Sequence, residues 1–540
     1  MNCDSCRFKG ILSRRKEYIL KAYIGISSKV HLKHRFITGD GKMQIKVFIK
    51  NTVVLVATSI VLRSVGIVFR VYLADKIGSD GIGLYQLIFS VYMLAATFAT
   101  TGISTAVTRL VAENAEKGGG AVKKIMLTSF ALTLAAAVAS SAAVYVFSRQ
   151  IAVYWIKDES AAAALKILSF SLPFMGLSSC IRGYFIACRK ALQPSAVQLF
   201  EQAVRIAVIF FCLSRTAGQG IATSATAVLF GDTVAEVASC LLHFALYRLD
   251  FQELGRGGRA SGVLKEIIRI SLPLAGVGYM STALHTAENL LVPTRLTYFY
   301  GERSRGLELY GAIRGMAMPI LFFPASFLTS FSTMLIPEVS EAKSVGRKDE
   351  VRSTVNASLT VTLSLSVLVG SVFLFWAEDI ANVIYRNEDV GYIIRVLSPI
   401  VPFMYMESVA AGILKGLDRQ LSMFGYNTVD SVLRIVSVII VLPIFGINGY
   451  LIIMAVSNCL TSSLCCRKLL KTAEVTLDIK NGIIIPLVIS LIGGFLGGLL
   501  FGRIKNIYPR LILGVGVQVS VFALAFFTKR HSVLTVLKNR

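Results

Sequence analysis

Apolar runs of about twenty residues recur along nearly the whole chain after residue 46. At about 1.5 Å of rise per residue, each is long enough to cross a hydrocarbon layer of about 30 Å. In lipid every backbone amide must be satisfied within its own helix or within a closed barrel. Runs of this length specify helices, so the sequence reads as an all-α polytopic membrane protein. Composition agrees, with 54% of the 540 residues hydrophobic and 16% charged. About 14 transmembrane helices are predicted, at 47–74, 82–109, 122–147, 161–188, 193–214, 221–247, 264–293, 307–336, 351–376, 390–414, 421–444, 447–466, 482–502 and 509–528. An even number of spans that starts from a cytoplasmic N-terminus returns the C-terminus to the cytosol.

The formal net charge of +25 would suit a nucleic-acid partner if it were gathered in one patch. On the predicted topology, Lys and Arg in the inner segments instead outnumber those in the outer loops by about three to one. The excess therefore orients the chain in a membrane, and no nucleic acid is expected. Residues 1–46 are basic and carry no signal-peptide apolar core. They read as a cytosolic segment or as an upstream extension of the reading frame, with Met43 as an alternative start. Seven of the nine cysteines lie in or at the ends of apolar spans and pack as small hydrophobes. Cys3 and Cys6 form a lone CxxC without a second pair, so no metal site is expected.

An internal repeat organises the spans. The stretch that begins at Leu168 lies without gaps over the one that begins at Leu397, pairing Pro173 with Pro402, Phe174 with Phe403, Met175 with Met404, Gly183 with Gly412, Glu201 with Asp430 and Arg205 with Arg434. Two six-helix units follow, an N-lobe at 47–250 and a C-lobe at 251–471. Six is even, so both lobes enter the membrane in the same sense and are parallel repeats, an arrangement transporters use to hold substrate near the midplane. Residues 472–540 add two helices without a counterpart in either lobe, and a cytosolic tail.

Charges inside spans are the natural place to look for function. Arg63 and Arg70 share the first span at a spacing of almost two turns, hence one face, with no acidic residue three or four positions away. Arg314 in the eighth span and Arg182 in the fourth also lack a local acid; snorkelling to the interface is the alternative for Arg314. A helix face that carries cations without anions is shaped to receive an anion. Glu201 with Arg205, and Asp430 with Arg434, stand four apart and can neutralise each other on one helix. His285 and Glu288, three apart in the seventh span, suit either ion coupling or charge balance for an arginine. Pro173, Pro273, Pro319, Pro402 and Pro486 are candidate bends. Walker, HExxH, GxSxG and kinase-type signatures are absent, so the chain does not read as an enzyme and no cofactor is expected.

ADKIGSDGIGLYQL followed by TTGISTAVTRLVAE at 74–113, MLIPEVSEA at 334–342 and the span count together resemble the multidrug, oligosaccharidyl-lipid and polysaccharide (MOP) exporter superfamily. Within it the chain is most like the sporulation-protein members of the polysaccharide transport branch, and it is related to the lipid II flippases. The resemblance implies a MATE-like fold. It also implies a flippase that moves a polyprenyl-pyrophosphate-linked oligosaccharide or peptidoglycan precursor across the bacterial cytoplasmic membrane, in spore cortex or cell-envelope synthesis. The flippase branch carries RxxG in its first helix and an arginine five residues before a proline in its eighth. Here these are RSVG from Arg63 to Gly66, and Arg314 with Pro319, so the resemblance assigns both arginines to the pyrophosphate. Arg70 sits one place out of register with the branch's second arginine. The last two helices are expected to form a groove for the polyprenyl tail.

The expected mechanism is alternating access, with Arg63, Arg70, Arg182 and Arg314 on the pyrophosphate. The coupling source is open among Na+, H+ and the membrane potential. Expected partners are the lipid-linked anionic glycan, membrane lipids and cell-wall synthesis enzymes. Two other readings stand beside this one: a cation-coupled multidrug exporter of the same superfamily, which would want acids in the first-lobe cavity, and a membrane glycan polymerase or ligase, which would want large outer loops.

Overall fold

The computed structural model describes residues 41–538 except 115–118, 189, 191, 217–219, 253–261, 330–338, 340–345 and 418. The CxxC at Cys3 and most of the 334–342 motif lie outside the described residues. Among the described residues there are helices and no strands. They are α1 Gly41–Thr100, α2 Ile103–Asn114, α3 Gly119–Val146, α4 Ala161–Ser169, α5 Ser171–Ala187, α6 Leu192–Thr216, α7 Ile221–Gln252, α8 Val263–Tyr300 and α9 Arg303–Gly311. A π-helical turn, Ala312–Ala317, leads into α10 Met318–Phe322. Then follow α11 Lys348–Ile384, α12 Glu388–Leu397, α13 Val401–Gly416, α14 Gln420–Ala473, α15 Ile485–Phe501 and α16 Ile507–Lys538.

Among the described residues, ten helices are long and apolar enough to cross a membrane, or up to 11 if the bent pair α4 and α5 is one span. Two of the ten are each broken once by a glycine, α1 at Gly78 (φ 70°) and α14 at Gly446 (φ 55°), where the backbone leaves helical geometry. The predicted count of 14 is not reached among the described residues, and part of the predicted span 307–336 lies outside them. Large apolar side chains such as Val68, Leu272, Ile512 and Leu524 are exposed along these helices. A water-soluble protein rarely leaves so much apolar surface uncovered, whereas lipid accepts it. The chain is a multi-pass membrane protein.

Packing divides it into two compact units. Among the described residues, unit 1 holds those within 41–59, 88–216 and 226–283, and unit 2 those within 60–87, 220–225 and 284–538. In unit 1 a core of Val107, Met126, Ile181, Tyr184 and Ile267 draws α2, α3, α5 and α8 together. Thr108 of α2 donates from Oγ1 to the Gly183 carbonyl of α5 at 3.1 Å, and Ser104 donates to that of Ser179 at 3.1 Å. In unit 2, buried Tyr310, Tyr405 and Tyr450 fill the interior.

Of the predicted bends, Pro319, Pro402 and Pro486 each stand at the first or second position of a helical segment. Each segment continues a π or 3-10 turn, so the missing N–H leaves a carbonyl of the preceding turn without its α-helical donor. Pro443, three residues before the Gly446 break, is a bend that the sequence reading missed.

Candidate functional site

The part of α1 that belongs to unit 2 crosses α9 and the π turn at backbone contact. A Cβ on Gly311 would lie 1.9 Å from the Ser79 carbonyl oxygen, and one on Gly83 2.2 Å from that of Leu307. Only glycine lets the two helices approach this closely. The crossing brings Arg314, within the π turn, to the face of α1 that carries Arg63 and Arg70. All three arginines line one cleft of about 420 Å³, together with Gly66, Met318, Pro319 and Phe323. Arg63 and Arg70 share it as their spacing requires.

Arg70 is fixed by the local chemistry of α10. Pro319 has no N–H to offer the carbonyl four residues earlier, that of Gly315. Arg70 donates to that oxygen from Nη1 at 3.3 Å. Among the described residues, neither Arg63 nor Arg70 has a carboxylate partner within salt-bridge reach.

Arg314 differs, because its Nη2 donates to Glu288 Oε1 of α8 at 2.9 Å. The same oxygen receives Arg434 of α14 at 3.1 Å and the Tyr450 hydroxyl at 3.3 Å. Glu288 is 1% exposed. Two arginines thus converge on one carboxylate oxygen. His285 is exposed, with Nδ1 4.0 Å from Glu288 Oε2.

The two repeat-related pairs have different surroundings. Arg434 lies 3.8 Å from Asp430 but nearer to Glu288, and Asp430 accepts from Ser457 at 2.5 Å. In unit 1, Arg205 pairs with Glu201 at 2.6 Å and also with Asp232 of α7 at 2.9 Å, while Ser239 donates to Glu201 at 3.0 Å. Glu236 stands one turn after Asp232 on α7. Arg182 lies on α5 of unit 1 and is not among the residues that line the cleft. Asp232 and Glu236 were missed in the sequence, although two acids one turn apart in an apolar span were a readable signal.

A second, apolar cleft of about 450 Å³ lies within unit 2, where Leu363 and Leu374 of α11, Phe403 of α13, Cys466 of α14, and Leu487 and Leu491 of α15 line it. Among the described residues no cluster of His, Cys, Asp or Glu is arranged to hold a metal ion.

Residues 48–343, more than half of the chain, match the family model described as polysaccharide biosynthesis protein. The chain belongs to this family. Residues 312–440 also match the MatE model. Stage V sporulation protein B of Bacillus subtilis (strain 168) is 25% identical over 450 residues, which cover 80% of this chain and 86% of that protein. Among solved structures, the lipid II flippase MurJ in an inward closed conformation aligns with a TM-score of 0.70 at 16% identity, covering 88% of this chain and 99% of that one. An inward-facing multidrug resistance MATE family transporter of the MOP superfamily aligns at 0.58 and 10% identity, over 78% and 99%. These likenesses establish the MOP fold that the motifs led us to expect.

Proposed function

We propose that the protein is a flippase that carries a polyprenyl-pyrophosphate-linked oligosaccharide or peptidoglycan precursor across the cytoplasmic membrane. Both of its termini are cytosolic, and its setting is spore cortex or cell-envelope synthesis. The observation that carries this reading is one cleft with three arginines, two of them without a carboxylate partner among the described residues. Guanidinium groups suit a phosphate because their donors are fixed in a plane and bind in pairs. The lobes at 47–250 and 251–471 alternate access to the cleft, the sugar head crosses with its pyrophosphate on Arg63, Arg70 and Arg314, and the tail stays in the apolar cleft beside α15. The names of the relatives point to flipping and drug transport, not to a chemical transformation.

The test is translocation of a labelled polyprenyl-pyrophosphate sugar in proteoliposomes. Wild type is expected to move it, and Arg63→Ala and Arg314→Ala to lose at least about tenfold in rate while still inserting. Equal rates in the variants would make the arginines structural.

A second reading is favoured by one observation. Arg205 of unit 1 faces two carboxylates, Glu201 at 2.6 Å and Asp232 at 2.9 Å, which suits an organic cation. Export of such a cation, lost in Asp232→Asn, with no movement of the lipid, would establish the drug-exporter reading in place of the first.

A further inference from the structure

The pair between Arg314 and Glu288 is made at half its capacity. A guanidinium and a carboxylate can meet through two parallel hydrogen bonds, yet here one contact of 2.9 Å joins Nη2 to Oε1. Arg314 Nε and Glu288 Oε2 are both buried without a hydrogen-bond partner. Oε1 is shared with Arg434 and Tyr450. Arg314 is a quarter exposed and lines the cleft, whereas Glu288 is 1% exposed behind it.

Charge points the same way. Arg314 and Arg434 face Glu288 and Asp430, so this inner group is neutral as it stands. Arg63 and Arg70 carry the surplus of the cleft, two positive charges. A pyrophosphate diester has one ionised oxygen on each phosphorus, which those two arginines match. Recruiting Arg314 as well means taking it from Glu288. A buried carboxylate stripped of every partner is strongly disfavoured, but Glu288 would keep Arg434 and the Tyr450 hydroxyl.

Resting on the reading of the cleft as a pyrophosphate site, we propose that Glu288 is the anion the substrate displaces: phosphate takes Arg314 from Glu288, while Arg434 and Tyr450 retain the carboxylate. Glu288 is a positioning residue that sets how tightly the cleft holds its anion. It keeps Arg314 at the cleft wall when no substrate is present, and it weakens binding enough for the anion to leave. No bond is made or broken beyond this exchange of ion pairs.

The test is calorimetric titration of the purified full chain in lipid nanodiscs with inorganic pyrophosphate. Glu288→Gln removes the competing charge and keeps size and one acceptor, and is expected to bind pyrophosphate roughly tenfold tighter. Tyr450→Phe removes a donor that competes for Oε1, so Glu288 holds Arg314 harder and binding is expected to weaken by about threefold. Opposite signs in the two variants are what a merely structural carboxylate would not give. Unchanged or weaker binding in a folded Glu288→Gln protein overturns the exchange. If that variant does not fold, unchanged or tighter binding in Tyr450→Phe does so. Wild-type binding that Arg63→Ala abolishes keeps the cleft reading even where the exchange fails. Should wild type not bind pyrophosphate, the cleft reading falls and the exchange falls with it.

Discussion

Arg70 donates to the carbonyl oxygen of Gly315 at 3.3 Å, the oxygen that Pro319 leaves without its α-helical donor. A proline on one helix thus fixes an arginine on another. Pro319→Ala restores an N–H that competes for that oxygen, so Arg70 should lose its fixed pose while the helix itself gains a hydrogen bond. Pyrophosphate binding is expected to weaken by about fivefold, the equivalent of ~1 kcal/mol, with a melting temperature equal to or above that of wild type. Binding equal to wild type would show that Gly315 does not position Arg70.

The close crossing of α1 with α9 makes a sharper claim about stability. A methyl group at residue 311 would sit 1.9 Å from the Ser79 carbonyl oxygen, and backbone atoms cannot turn aside as a side chain does. Gly311→Ala should therefore cost about 3 kcal/mol or more. Gly66→Ala is the control, since a Cβ there meets nothing within 4 Å. Thermal melts of both should separate them clearly; a Gly311→Ala protein as stable as wild type would mean that the crossing is looser than described.

Much of this was legible because lipid is a strict solvent. Length, apolar runs and charge asymmetry alone give helices and a membrane, and the spacing of Arg63 and Arg70 gives their shared face. Contacts across helices are another matter. That Arg314 meets Glu288, or that Arg434 prefers Glu288 to its own neighbour Asp430, depends on the packing of α8, the π turn and α14, which no local spacing encodes. Repeat symmetry misled for the same reason: Glu201 with Arg205 and Asp430 with Arg434 look alike in sequence, yet Asp232 joins one pair and Glu288 the other. The break at Gly446 falls between the spans 421–444 and 447–466 read from the sequence, but the π turn around Arg314 left no periodic signal, because it is a single departure inside an apolar run.

Outside the apolar spans, Asp478 caps the turn that leads into α15. Its Oδ1 accepts from the Asn481 backbone N–H at 3.0 Å, and its Oδ2 from the Asn481 side chain at 2.6 Å. These bonds, the side-chain one first, hold its carboxyl below the usual aspartate range. A depressed value means stabilisation that is present above the ordinary aspartate range and lost as pH falls through the lowered folded value. Amide exchange at residues 480–484, corrected for intrinsic rate, should rise on acidification in wild type. In Asp478→Ala it should be raised already at neutral pH and nearly flat with pH. A pH response that survives the substitution would assign it to another group.

The last two helices are braced by a polar network in an otherwise apolar setting. Gln518 of α16 is fully buried; its Oε1 accepts from Trp376 Nε1 of α11 at 3.0 Å, and its Nε2 donates to Ser371 Oγ at 2.9 Å and to the Ser490 carbonyl of α15 at 3.1 Å. One side chain thus ties α16 to α11 and α15, two helices that also wall the apolar cleft. Gln518→Leu keeps most of the volume but leaves the buried Trp376 N–H without its acceptor, at a cost of ~1–3 kcal/mol. The chain has 2 tryptophans, and Trp155 is exposed, so in a Trp155→Phe background Trp376 reports alone. The leucine variant should change the Trp376 emission, lower the melting temperature and raise amide exchange along α15. If Gln518 only filled space, leucine would be neutral in all three, and the expectation that α15 forms a firm wall for the lipid tail would lose its support.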